Sequence, residues 1–204
     1  MSLLDQPEID RVTATIAEVE SHTDAELVAV LARRADDYLY IPTLWAAVIA
    51  ILSPAVTLVT PFWLETSDVL LVQLAVFFVA VFIFRIPWLL RKLIPGHVKR
   101  HRAGNLARRM FLECNLHHTK GESGVLIFVS EAEHYVEIIA DRGINAKVAP
   151  DAWQNIVDDF TAAMKRGEVS AGLIAMIEAC GELLQQHVPA TEEKNELPNH
   201  LLLI

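Results

Sequence analysis

Glu26-Leu27-Val28-Ala29-Val30-Leu31-Ala32 is the stretch on which the fold turns. It is short, apolar and rich in Val and Leu, which suits a buried strand better than a helix of that length. A strand so apolar does not stand alone. Its neighbours are predicted downstream, at residues 125–130 (VLIFVS) and 135–141 (YVEIIAD), which the turn Glu131-Ala132-Glu133-His134 joins into a hairpin. Residues 26–32 are expected to enter the same sheet, with helices on both faces.

The helices follow from spacing. In residues 5–21, Ile9, Val12, Ile16 and Val19 line one face, Asp5 suits the N-cap, Pro7 the first turn and Glu8 a capping box. In residues 98–114, Ala103, Leu106, Ala107, Met110, Phe111 and Cys114 make one buried stripe, opposite Lys99, Arg102, Asn105 and Arg109. Pro150 opens a helix with Trp153, Ile156, Val157, Phe160 and Met164 on one face, and Gly167 ends it. Ser170 is placed as the cap of a last helix carrying Leu173, Ile174, Ile177, Cys180 and Leu184. The polar residues 190–200 read as a loose tail, and Leu201 to Ile204 as a short apolar end that packs on the domain or touches lipid.

Between the first strand and the next helix lies a different kind of sequence. The chain of 204 residues is 53% hydrophobic and only 21% charged, and the apolar excess is concentrated here. Residues 40–63 and 69–90 are each long enough for a bilayer span, which needs roughly 20 apolar residues. Pro54 is expected to kink the first, with Ser53 and Thr57 satisfying freed backbone. Tyr38, Tyr40, Trp45, Phe62, Trp63 and Trp88 are placed as interfacial aromatics, and Arg85 snorkels. The acidic loop 64–68 is short, so the two segments form an antiparallel hairpin. The predicted organisation is 1–37 as the N-terminal part of an α/β domain, 38–92 as the hairpin, 93–189 as the main part and 190–204 as a flexible tail.

The net charge of −9 conceals segregation. Residues 85–112 hold eight bases and no acid, directly after the apolar region. Arg91, Lys92, Lys99, Arg100 and Arg102 follow the hairpin and Arg33 and Arg34 precede it, so both termini are expected in the cytoplasm of a multi-pass inner-membrane protein. These bases suit anionic membrane lipids, and a further membrane or cytoplasmic protein is the expected partner. The acidity of the remaining domain argues against nucleic acid. No ionisable residue lies deep in either span, which argues against a transporter or channel. Two distant cysteines, Cys114 and Cys180, read as buried thiols rather than a disulfide framework.

The run from His117 to Ser130 (HHTKGESGVLIFVS) resembles the central motif of TPM domains, also called TPM-type phosphatase domains. The resemblance continues through residues 135–144 (YVEIIADRGI), Trp153, Arg166-Gly167-Glu168, Ala171-Gly172-Leu173, Gly181-Glu182-Leu183-Leu184 and His187-Val188-Pro189. It covers residues 98–189, and 1–35 more loosely. It implies a Rossmann-like α/β sandwich, here with a two-helix transmembrane hairpin inserted after the first strand. It also implies one of two activities: a metal-assisted acid phosphatase with calcium, or an assembly or repair accessory. The chain departs from the family pattern in Glu122-Ser123-Gly124 and Asp141-Arg142-Gly143, and its hairpin-turn acids are Glu131 and Glu133.

The residues themselves leave the same two classes open. Depending on register, Glu122 and Asp141 fall near opposite ends of the hairpin or toward one edge; since antiparallel pairing sets the start of one strand beside the end of the next, they can be neighbours, with Asp151 at a nearby helix start. Three carboxylates of this kind suit calcium or magnesium, and Arg142 suits a phosphate. The alternative is that they are solvated turn and cap residues. His117 and His118 are expected to diverge as neighbours on a helix end and to make poor co-ligands. No Ser-His-Asp, Cys-His or phosphate-loop pattern occurs.

Overall fold

A computed structural model describes residues 4–57, 65–191 and 201–204, without the side chains of Thr57, Pro87 and Arg91. The chain divides into two compact units, one made of residues 1–35 and 100–204 and the other of residues 36–99.

The first unit holds a four-stranded mixed sheet of order β3-β2-β1-β4. β1 (Glu26–Ala32) and β2 (Gly124–Ser130) pair in parallel, Glu26 opposite Gly124 through Ala32 opposite Ser130. Every residue of both strands is buried, as a strand covered on both faces requires. β3 (Tyr135–Ala140) runs antiparallel to β2. β4 (Leu201–Leu203) runs parallel to β1 on its other edge, and Arg33 N–H donates to Ile204 O at 2.8 Å. The end expected as part of a loose tail is thus a strand. Three leucines are too short a run to show strand periodicity, and what holds them is the free edge of β1. Residues 192–200 of that expected tail lie outside the described residues.

Alternation along β1 and β2 divides the core. Leu27, Ala29, Leu31, Val125, Ile127 and Val129 face α1 (Gln6–Glu20) and the two C-terminal helices. Val28, Val30, Ala32, Leu126 and Phe128 face Ala103 and Ala107 of α6 (Gly96–Glu113). The helix starts as its sequence says: Asp5 caps α1 and Glu8 closes the capping box. The C-terminal pair is α8 (Pro150–Lys165) and α9 (Val169–His187). Gly167 ends α8 with φ of 81°. α9 begins one residue before Ser170, on Glu168, which makes no side-chain cap, so the cap assigned to Ser170 is corrected.

In the second unit, α2 (Tyr40–Leu52) and α3 (Pro54–Thr57) are separated at Ser53, where Pro54 cannot continue the ladder and Ser53 Oγ donates to Ala50 O at 2.8 Å. α4 (Thr66–Phe84) packs on α2, and Ala46 and Ala50 of α2 and Ala80 of α4 are buried. Among the described residues α4 is the one helix both long and apolar enough to cross a membrane, with mean hydropathy 2.4 and only 6% of its apolar window buried. The second apolar segment does not run on to residue 90. It stops at Phe84, and Pro87 opens α5 (Pro87–Leu93), because the residue before proline is driven out of helical geometry. Ile86 is accordingly extended, with ψ of 125°. Tyr38, expected at an interface, is instead buried with Ile41 and Ile94. Tyr40, Trp45 and Trp88 are exposed. Residues 58–64, with Phe62 and Trp63, lie outside the described residues.

Candidate functional site

The start of β2 and the end of β3 meet as antiparallel pairing requires. Asp141 N–H donates to Gly124 O at 2.8 Å, one step beyond the Val125–Ala140 pair. The loop before β2 therefore lies against the segment after β3. Gly143 N–H donates to Glu122 O at 3.1 Å. A Cβ on Gly143 would sit 2.1 Å from Gly121 O, so this approach admits only glycine. Glu122 has a left-handed backbone, φ 55°, which turns its side chain toward Arg142. The two make a bidentate pair, Nε to Oε2 at 3.1 Å and Nη2 to Oε1 at 3.2 Å. It is largely exposed, 85% for Arg142 and 48% for Glu122.

Asp141 caps α7 (Arg142–Asn145), a short helix that the sequence reading missed, and accepts from Arg142 N–H at 2.7 Å. Asp151 lies exposed in the first turn of α8. The structure thus joins Glu122 and Asp141 through Arg142. Among the described residues no three His, Cys, Asp or Glu side chains form a group able to hold a metal ion. His117 and His118 do not diverge: they sit in a 3₁₀ turn (Leu116–His118) with ring centroids 4.0 Å apart.

Behind the loop is a polar cluster that the sequence reading did not single out. Ser123, 4% exposed, donates through Oγ to Asp24 O at 3.0 Å and Lys120 O at 2.9 Å, and its N–H donates to Thr119 Oγ1 at 3.0 Å. Glu26 N–H donates to Ser123 O at 3.2 Å. Thr23 Oγ1 donates to Val188 O at 2.5 Å, and Asp24 accepts from Thr191 N–H at 3.0 Å. Glu20, on the last turn of α1, accepts from Leu27 N–H at 3.0 Å. Burial pushes the Glu20 carboxyl up to about 7, opposed by the Leu27 hydrogen bond and helped by the charge of Glu26. One signal was available: Glu20 follows Ile16 by four positions and so continues the apolar stripe of α1.

Two further groups close the edges. At the other end of the sheet Glu133, 7% exposed, accepts from Ala35 N–H at 3.0 Å and from the Ser130 hydroxyl, and so fastens the β2–β3 turn to the segment after β1. Glu131 beside it is exposed. On β3, Tyr135 donates to Glu137 Oε2 at 2.8 Å. Burial, then the Glu137 hydrogen bond and charge, push the Tyr135 phenol up to about 12, against the pull of Arg108.

Of the bases assigned to a membrane surface, Lys92 lies over the Trp88 ring at 5.2 Å, Arg100 and Arg102 are exposed and Lys99 is half-buried. The side chain of Arg91 lies outside the described ones.

Residues 94–183 match the TPM domain. The match spans α6, β2, β3, α8 and most of α9, and with them the Glu122–Arg142 pair; β1 and β4 lie outside it. A TPM domain is therefore present. The chain is also similar in fold to the BA42 protein of the psychrophilic bacterium Bizionia argentinensis, known from an NMR structure. The TM-score is 0.60 at 18% identity, over 98% of this chain and 94% of that one. At this identity the likeness concerns the fold alone. Among curated proteins nothing matches the chain.

Proposed function

We propose that this protein is a membrane-anchored TPM domain that acts as an accessory, engaging another protein at the cytoplasmic face of the inner membrane. One observation carries the anchoring: α4 is 19 residues long, and its large side chains face outward, Leu70 and Leu71 above 60% and Phe82 at 74% exposure. A helix that apolar yet uncovered needs lipid as its solvent. In this reading α2 and α3 complete a hairpin with α4, both termini are cytoplasmic, and Arg91, Lys92, Lys99, Arg100 and Arg102 meet anionic headgroups. A reporter fused after Ile204 is expected to be active only as a cytoplasmic fusion. Activity only as an exported fusion would overturn the orientation.

The alternative is a metal-assisted phosphatase, with calcium or magnesium held by Glu122, Asp141 and Asp151. The matched domain supports a phosphatase as the rival. The arrangement of side chains favours the accessory. Arg142, the cation suited to a phosphate, already has its charge paired by Glu122 through Nε and Nη2, and one oxygen of Asp141 serves as a cap. Hydrolysis of an aryl phosphate by the purified protein decides between them. No turnover, with or without calcium or magnesium, is expected. Metal-dependent turnover abolished by Asp141→Asn would sink the accessory reading.

A further inference from the structure

We infer that the outer face of the layer formed by α1, α9 and α8 is a docking surface for an amphipathic helix of a partner protein, apolar on one side and flanked by Lys or Arg. The inference rests on the accessory reading above and names the surface that serves it. Its first part is shape. α8 and α9 pack so closely that a Cβ on Gly172 would lie 2.8 Å from Ala163 Cβ. Beside that contact the two helices leave a groove of about 460 Å³. Phe160 and Met176, both buried, form its floor, and its sides are small: Ala162, Ala171, Ala175 and Ala179.

Small side chains on two neighbouring helices let a third backbone come within the roughly 8–10 Å of packed helices. From Ala171 to Ala179 the α9 side of the groove is about 12 Å long, a little over two turns of a seated helix. An extended peptide gains less here, because the helix interiors have no backbone groups left to pair with it.

Charge decides the polar side of the partner. α1, α8 and α9 together carry nine acids against two Lys or Arg, whereas α6, on the other face of the sheet, carries five Lys or Arg and one acid. Across α9 from the apolar groove, a second one of about 260 Å³ lies between α1 and α9, lined by Glu18, Glu178 and Glu182 together with His22. None of the three glutamates takes part in an ion pair among the described residues. In the apolar groove Arg166 is paired with Glu168 at 2.9 Å, which leaves Asp159 as its uncompensated charge. A helix seated along Ala171 to Ala179 therefore meets carboxylates on both flanks, Asp159 from α8 and Glu178 and Glu182 from α9. Lys or Arg beside its apolar side complements them, and an anionic lipid surface is repelled by them.

The test uses the full chain in phosphatidylcholine nanodiscs, with empty discs as the blank. The probe is a synthetic helix of about five turns with leucine and alanine on one side and lysine flanking it. A second peptide has glutamate for each lysine. Saturable binding of the lysine peptide above the blank is expected. Its Kd is expected to rise about tenfold or more in Ala175→Arg, which fills the exposed middle of the groove with bulk and a like charge. Glu178→Gln combined with Glu182→Gln is expected to weaken binding severalfold and to flatten its salt dependence. Binding no stronger than to empty discs, equal binding of the glutamate peptide, or a Kd unchanged in either variant overturns the proposal. So does self-association of the chain that Ala175→Arg abolishes, which makes a second copy the occupant. Metal-dependent turnover of the aryl phosphate on the same preparation judges the accessory reading separately, whether or not the groove binds.

Discussion

Gly143 and the Glu122–Arg142 pair show how unequal two neighbouring contacts are. The pair has bidentate geometry yet sits in water, where such bridges contribute about 0–1 kcal/mol. Arg142→Ala is expected to change stability by no more than that, measured by chemical denaturation in micelles. Gly143→Ala is different in kind. Its Cβ would overlap Gly121 O, so one of the two backbones must move and the Gly143–Glu122 hydrogen bond goes with it. A loss of about 2–4 kcal/mol is expected. A Gly143→Ala protein as stable as wild type would mean that the two loops are not in contact.

Among the elements, β4 is the informative one. Its neighbour in the hydrogen-bonding direction, β1, could not be guessed from residues 201–204, because four apolar residues fit a strand, a helix end or a lipid contact equally. The parallel register Ala29–Leu201 to Leu31–Leu203 is decided by β1, whose second edge would otherwise carry unpaired backbone groups. Removing residues 201–204 is expected to lower the thermal midpoint and to speed exchange of the β1 amides that face that edge, with β2 and β3 less affected. Unchanged exchange in β1 would show that the pairing contributes nothing. α7 and α5 were illegible for a related reason. α7 is a single turn, too short for any period, and α5 looks like the continuation of α4 until Pro87 is given its steric weight.

At the scale of the whole molecule, the apolar segment interrupts the domain rather than ending it. The sheet needs β1 from before residue 36 and β2 from after residue 99, and these pair along their full length. If residues 36–99 only anchor, replacing them with a flexible Gly-Ser linker is expected to leave a water-soluble protein with the same α/β circular dichroism and a cooperative melt. Aggregation of that variant, with the intact chain folded in micelles, would show that the second unit is part of the first one's folding. The sheet is predominantly non-local, so slow refolding is the corollary.

By itself the sequence was enough for three things: a buried strand at 26–32 with its partners downstream, the faces of the four main helices, and an apolar region set between the first strand and its neighbours. All three rest on local pattern, since burial on one face writes itself into spacing and burial on two faces into an unbroken run. It also allowed Glu122 and Asp141 to be neighbours, because hairpin pairing is a local rule, but left the register open. Tertiary structure alone decided the rest. Arg142 closes on Glu122, Asp141 is turned into a cap, Glu20 ends beside Glu26, and the last four residues become a strand. Each depends on which distant groups share a small space, and no period in a linear chain records that.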